Sequence, residues 1–163
     1  MPEVHYVEIC DAPLAVAFDY LDDYRNVTDY WHGMTSYTPV GTLDHGLGSV
    51  FAAVSKIGPA TLKSTIEAVH WERDVRIAYK SISGMDSATT FDFSAIDATR
   101  CRVEFRVEFH LPGGIAGKAL AKTVEPYVSA TARTTAQNMA REIAAHYATI
   151  SADPTRGTTD TPK

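Results

Sequence analysis

Cysteine is nearly missing from this sequence. Only Cys10 and Cys101 occur among 163 residues, too far apart for a zinc or redox motif and too few for a disulfide framework. Each sits in a strand-like run, where a buried reduced thiol is the simplest reading, and a disulfide between them would need the first and last strands to be neighbours. An excess of positive charge is missing too. The formal net charge is -5 with no basic stripe, which argues against a nucleic-acid partner held through its phosphates. No apolar run approaches the roughly 20 residues of a membrane span. Met1-Pro2-Glu3 opens directly into structure, without the basic, apolar and small-residue succession of a signal peptide, so the expected location is the cytoplasm.

The familiar chemical motifs are also lacking. Gly46-Leu47-Gly48 lies between two strand-like runs with no helix after it, so it is not a phosphate loop. His5, His32, His45, His70, His110 and His146 are scattered singly, without metal-ligand spacing. No serine stands at a strand-to-helix elbow. No catalytic residue, metal or cofactor is therefore assigned.

What is present is a globular pattern. Hydrophobic residues make up 45% of the chain and charged residues 21%, and the length suits one domain able to bury its own core. Val4 to Cys10 reads as a first strand. Asp11-Ala12-Pro13 is a helix-start signal, an acidic cap before a proline tolerated in the first turn. Leu14, Ala17, Phe18 and Leu21 then form a short amphipathic helix, and a second short helical stretch from Tyr24 to Tyr30 leads to Trp31-His32-Gly33.

From Ser36 the pattern changes to strand-length runs punctuated by turn chemistry, the mark of consecutive antiparallel hairpins. The runs are Tyr37 to Leu43, Ser49 to Ile57, Ala60 to Val69, Arg73 to Ile82, Ser87 to Ile96 and Thr99 to His110. Their turns include Gly58-Pro59, His70-Trp71-Glu72 and Ser83 to Asp86. In the last run Cys101, Val103, Phe105, Val107 and Phe109 alternate with Arg102, Glu104, Arg106, Glu108 and His110, so the sheet has one dry face and one wet face. Val75, Ile77 and Tyr79 are expected on one face, as are Phe91 and Phe93.

Gly113 to about Thr149 is a long helical run. Val124, Val128, Ala132, Thr135, Met139, Ile143 and Tyr147 recur at three- and four-residue steps. Pro126 predicts a kink or a fresh start near Val124, because a helix-interior proline removes a donor and clashes with the preceding turn. The domain is expected over 1-150, and 151-163 reads as a disordered tail with nothing to bury. The order of elements predicts an α+β layer pair, a sheet whose apolar face is covered by one long helix.

This order, with Ala12-Pro13, Phe18, Leu21, Asp22-Asp23, Trp31 and the Gly46 and Gly48 loop, resembles the SRPBCC superfamily of START-like and birch-pollen-allergen-like proteins. Within it the chain resembles the polyketide cyclase/dehydrase and lipid-transport group, over almost its whole length up to Tyr147. The resemblance implies a helix-grip fold: a curved seven-stranded antiparallel sheet wrapped around a long C-terminal helix, two short helices between strands 1 and 2, and an apolar cavity between sheet and helix. The function implied is binding or transport of a small hydrophobic ligand of lipid, polyketide or isoprenoid type. The alternatives are an enzyme of cyclase or dehydratase type, separated from a binder by whether polar side chains converge in the cavity, and an interaction module like the coenzyme Q-binding branch, to which size-exclusion or pulldown behaviour would speak. The candidate lining is Trp31, Val75, Ile77, Tyr79, Phe91, Phe93, Phe105, Phe109, Leu120, Val124, Tyr127, Val128, Thr131 and Thr135. The expected partner is the apolar ligand, with no nucleic acid, no membrane span and a homodimer left open.

Overall fold

A computed structural model describes the backbone of residues 3-110 and 114-152, with side chains described over 3-110 and 126-152. Seven strands form one antiparallel sheet: β1 (Glu3–Cys10), β2 (Met34–Pro39), β3 (Val50–Ile57), β4 (Ala60–Glu72), β5 (Arg76–Gly84), β6 (Asp86–Ala95) and β7 (Cys101–His110). Their spatial order is β1-β7-β6-β5-β4-β3-β2. The consecutive hairpins are as expected, and the first strand returns to pair with the last. Helices α1 (Leu14–Asp22) and α2 (Val27–Tyr30), joined by a short 3₁₀ turn over Tyr24–Asn26, separate β1 from β2, and α3 (Gly114–Ala152) follows β7.

The period-two pattern of β7 is realised: Cys101, Val103, Phe105, Val107 and Phe109 are all buried. On the opposite face Arg106 pairs with Asp92 and Arg102 with Glu104, partly solvent-exposed pairs that contribute modest stability. The sheet curls because its register slips. β4 and β5 shift between Thr65 and Ile66 and again between Ala68 and His70, which leaves Val69 and Ile82 as extra residues. Both are exposed, and a bulge of this kind bends the strand and increases its twist.

Several boundaries differ from the sequence expectation for identifiable reasons. The Val69 bulge flips the parity of the residues after it, so His70-Trp71-Glu72 continues β4, and Trp71 turns inward, where its Nε1 donates to Asp22 Oδ1 at 2.8 Å. The chain reverses instead at Arg73 to Val75, where Asp74 takes φ 62. β2 ends at Pro39 rather than Leu43. Asp11 does not cap α1. Pro13 holds the cap position, and its carbonyl accepts from Val16 N and Ala17 N at 3.0 and 3.1 Å.

α3 runs unbroken from Gly114 to Ala152 with Pro126 inside it, so the fresh start expected near Val124 is not observed, and the helix extends past residue 150. The tail beyond Ala152 and the Leu111-Pro112-Gly113 turn lie outside the described residues. The apolar stripe of α3 is buried at Val128, Ala132, Thr135, Ala136, Met139 and Ile143, while Arg133 and Arg141 are exposed. This helix makes its most extensive sheet contact with the edge strand β1, where Tyr6 Oη donates to Ser129 O at 3.4 Å. Among the described residues no helix is long and apolar enough to cross a membrane.

Candidate functional site

The sheet, α2 and α3 do not close on one another completely. Between them lies a cavity of about 90 Å³, partly open to solvent. Interiors normally pack to crystal density, so a void of this size needs a cause. α3 presents the small or short side chains Val128, Thr131 and Ala132 here, and the curled sheet holds its strands away from them. The cavity volume exceeds the roughly 10–15 Å³ needed to hold a single water, so this one has room for several. A guest displacing them is the size of a small aromatic system or a short chain, with room to extend through the mouth.

Position along the strand separates cavity from core. Facing alone does not. Phe91, Phe109 and Tyr79 line the cavity from the sheet, Trp31 from the end of α2, and Val128 and Thr131 from α3. Phe93 shares a face with Phe91 but sits farther along β6, where it packs on Phe18 of α1 at 5.0 Å between ring centres. Phe105 is directly paired with Phe91, stacks on it at 5.3 Å and meets the edge of Trp31 at 5.5 Å. It forms the packed boundary of the void. Ile77 is likewise core, fully buried.

Three further expected residues lie elsewhere. Val75 is in the β4-β5 turn and 45% exposed, because the shifted turn takes it off the inner face. Thr135 is fully buried, and its Oγ1 accepts from His32 N at 3.0 Å, so it ties the end of α2 to α3 rather than facing the void. Asn138 does the same, donating to Tyr30 O at 3.3 Å. Tyr127 is 48% exposed and packs over Gly58, where an added Cβ would meet its ring. The side chains of Leu120 and Val124 lie outside the described residues.

Much of the lining was not anticipated. Tyr30 and Met34 come from the second helix and the strand after it, Tyr37 from β2, Ala53 and Ile57 from β3, and Ser87 and Thr89 from β6. The parity of Ser87 and Thr89 with Phe91 is the signal that could have found them. The contributions of α2 and β2 carry no such signal, since they arrive by the path of the chain over the sheet edge.

None of the described lining residues is charged. The strongest polar groups are the phenols of Tyr30, Tyr37 and Tyr79. Burial pushes all three well above the usual range. Tyr30 also feels Tyr79 and Tyr20, and Tyr37 feels both Tyr79 and Tyr30. At neutral pH they remain protonated hydrogen-bond donors. Among the described residues the only tyrosine hydroxyl with a protein partner is that of Tyr6, outside the cavity. The hydroxyls of Tyr30, Tyr37 and Tyr79, none bonded to another described residue, can donate to water or to a guest in the cavity they line. His32 is exposed and is not among the lining residues. Among the described residues no group of three or more His, Cys, Asp or Glu side chains could hold a metal.

The family described as polyketide cyclase/dehydrase and lipid transport matches residues 1–144. No match is found among curated proteins. Among solved structures, TTHA0849 from Thermus thermophilus is similar at a TM-score of 0.74 and 18% identity, covering 89% of this chain and 99% of that one. The ZhuI aromatase/cyclase from Streptomyces sp. R1128 is similar at 0.70 and 14% identity, covering 87% and 93%. A START superfamily protein from Mycobacterium smegmatis is similar at 0.66 and 10% identity, covering 91% and 98%. At these identities the likeness is one of fold.

Proposed function

The chain belongs to the polyketide cyclase/dehydrase and lipid transport family, and we propose that it binds or carries a small, uncharged, largely apolar ligand bearing oxygen acceptors. The observation that supports this most is the cavity whose described lining is uncharged and includes three phenols. Its apolar walls favour a hydrophobic guest. A carboxylate or amine would lose its hydration without gaining a counter-charge, which is costly in an apolar site. A carbonyl or hydroxyl oxygen, by contrast, would accept from Tyr30, Tyr37 or Tyr79. The size of the void favours a ring system or short isoprenoid chain over a bulky sterol.

A second reading, of cyclase or dehydratase type, draws support from the same phenols, because polar groups do converge on one space. Three neutral donors around a ketone would stabilise a developing enolate oxygen. Proton transfer near neutral pH, however, needs a group that titrates there, and the described lining offers only phenols held protonated. Binding is therefore the better supported role.

The test uses delipidated protein titrated with a neutral naphthyl ketone dye and, separately, with a naphthalene sulfonate. Saturable fluorescence with the ketone and a much weaker response to the sulfonate is the expected result. No uptake of either dye would remove the binding role. Organic extraction of freshly purified protein followed by mass spectrometry would identify a retained native ligand.

A further inference from the structure

The cysteines, so sparse in the sequence, meet in the fold. Cys10 is the last residue of β1 and Cys101 the first of β7, and the register places them directly opposite one another. Opposed residues of an antiparallel pair have Cα atoms about 4.5–5.5 Å apart, inside the roughly 4.4–6.8 Å that a disulfide spans. Opposed residues also share a face. Here that face is inward, since both thiols are fully buried, and both are free. The flanking residue on β6 is the small Ala95.

Placement makes the pair reachable. It lies at the end of the sheet beside the exposed turn 96-100, and strand ends open locally far more often than strand centres. Only β7 holds β1 laterally, yet β1 carries the main sheet contact of α3. A covalent link here would fix the strand on which the helix rests.

We propose that Cys10 and Cys101 form a thiol–disulfide exchange site, reduced in the form described, whose oxidation by a low-molecular-weight disulfide pins the edge strand β1 to β7. The adjacent Cys101 thiol and burial push Cys10 up, while the adjacent Cys10 thiol holds Cys101 down against the effect of burial, which makes Cys101 the better thiolate. Its sulfur attacks the small disulfide, whose S–S bond breaks and releases one thiolate to be protonated. The Cys10 thiol, losing its proton, then attacks the mixed disulfide at Cys101 and expels the second thiolate. Two protein thiols are oxidised and one small disulfide is reduced to two thiols.

The experiment incubates the folded full chain with oxidised glutathione, followed by intact mass, thiol counting after unfolding, peptide mapping and a thermal melt. Expected are a loss of two hydrogens, a peptide pair joining Cys10 to Cys101, reversal by dithiothreitol, and a melting temperature raised by about 5–15 °C. Cys10→Ser should lose the link and the shift. If that variant does not fold, the wild-type masses and melts decide alone. A folded chain that keeps both thiols while its guanidinium-unfolded form oxidises would overturn the proposal. A stable single glutathione adduct, or a linked form that melts lower, would do the same.

Discussion

Replacing Ala132 by leucine separates a real void from a packed core. Ala132 lies on α3 over the cavity, 5% exposed, while Ala136, one turn on and 1% exposed, faces core and does not line the cavity. Leucine adds the equivalent of three methylenes, about 2.4 kcal/mol of burial at roughly 0.8 kcal/mol each. Ordering the side chain costs about 0.5–1 kcal/mol, and helix propensity is close to neutral between the two residues. Ala132→Leu should therefore stabilise by about 1.5 kcal/mol, a rise of about 3–6 °C in a domain of this size. At Ala136 the same change overpacks a filled site and should cost about 1–3 kcal/mol. Denaturant unfolding of both variants measures the difference, and dye titration should show weakened uptake in Ala132→Leu alone. If both variants are destabilised alike, the space beneath α3 is already filled by the protein, and the ligand-binding argument fails.

Tyr79→Phe, which deletes one donor and keeps the ring, should weaken binding of the naphthyl ketone by about 2- to 12-fold, the worth of a neutral hydrogen bond at about 0.5–1.5 kcal/mol, while an unsubstituted arene loses little. Equal losses for both guests in competition titrations would remove the phenol from recognition. Alkaline unfolding should be abrupt. Tyr30, Tyr37 and Tyr79 keep their protons in the fold, and Tyr20 is pushed up to about 12, whereas in the unfolded chain each ionises near 10.0. Their stabilising contribution is thus complete below about pH 10. Above it, about 1.4 kcal/mol per phenol is lost per pH unit. Phenolate absorbance and circular dichroism should change together, and phenols that titrate while the fold persists would contradict this. Gly84→Ala should destabilise by more than about 2 kcal/mol, since φ 82 is strained for alanine and the new Cβ would collide with the Lys63 carbonyl. Gly41→Ala, at φ 96 with nothing near it, should show the strain alone, about 1–2 kcal/mol. Melts that rank the two alike would mean the β4-β5 approach can relax.

Local periodicity by itself determined the layer pair. Strict alternation in β7 and the three- and four-residue steps of α3 leave one apolar face on each, and such faces have to meet. It also put Tyr79, Phe91, Phe109 and Val128 on inward faces, and these line the cavity together with Trp31 and Thr131, which lay outside the periodic pattern. Only the folded chain decided where the void would fall. Phe91 and Phe93 have the same parity and chemistry, yet α1 covers one of them and not the other. Trp71 and Val75 exchanged the roles expected of them because a single extra residue at Val69 resets the alternation. The meeting of Cys10 with Cys101, and of Tyr30 with Tyr37 and Tyr79, arises from strand order and from the course of α2 over the sheet. Parity is a property of neighbouring residues and is written locally. Proximity between distant segments depends on how the whole sheet curls, which no local stretch encodes.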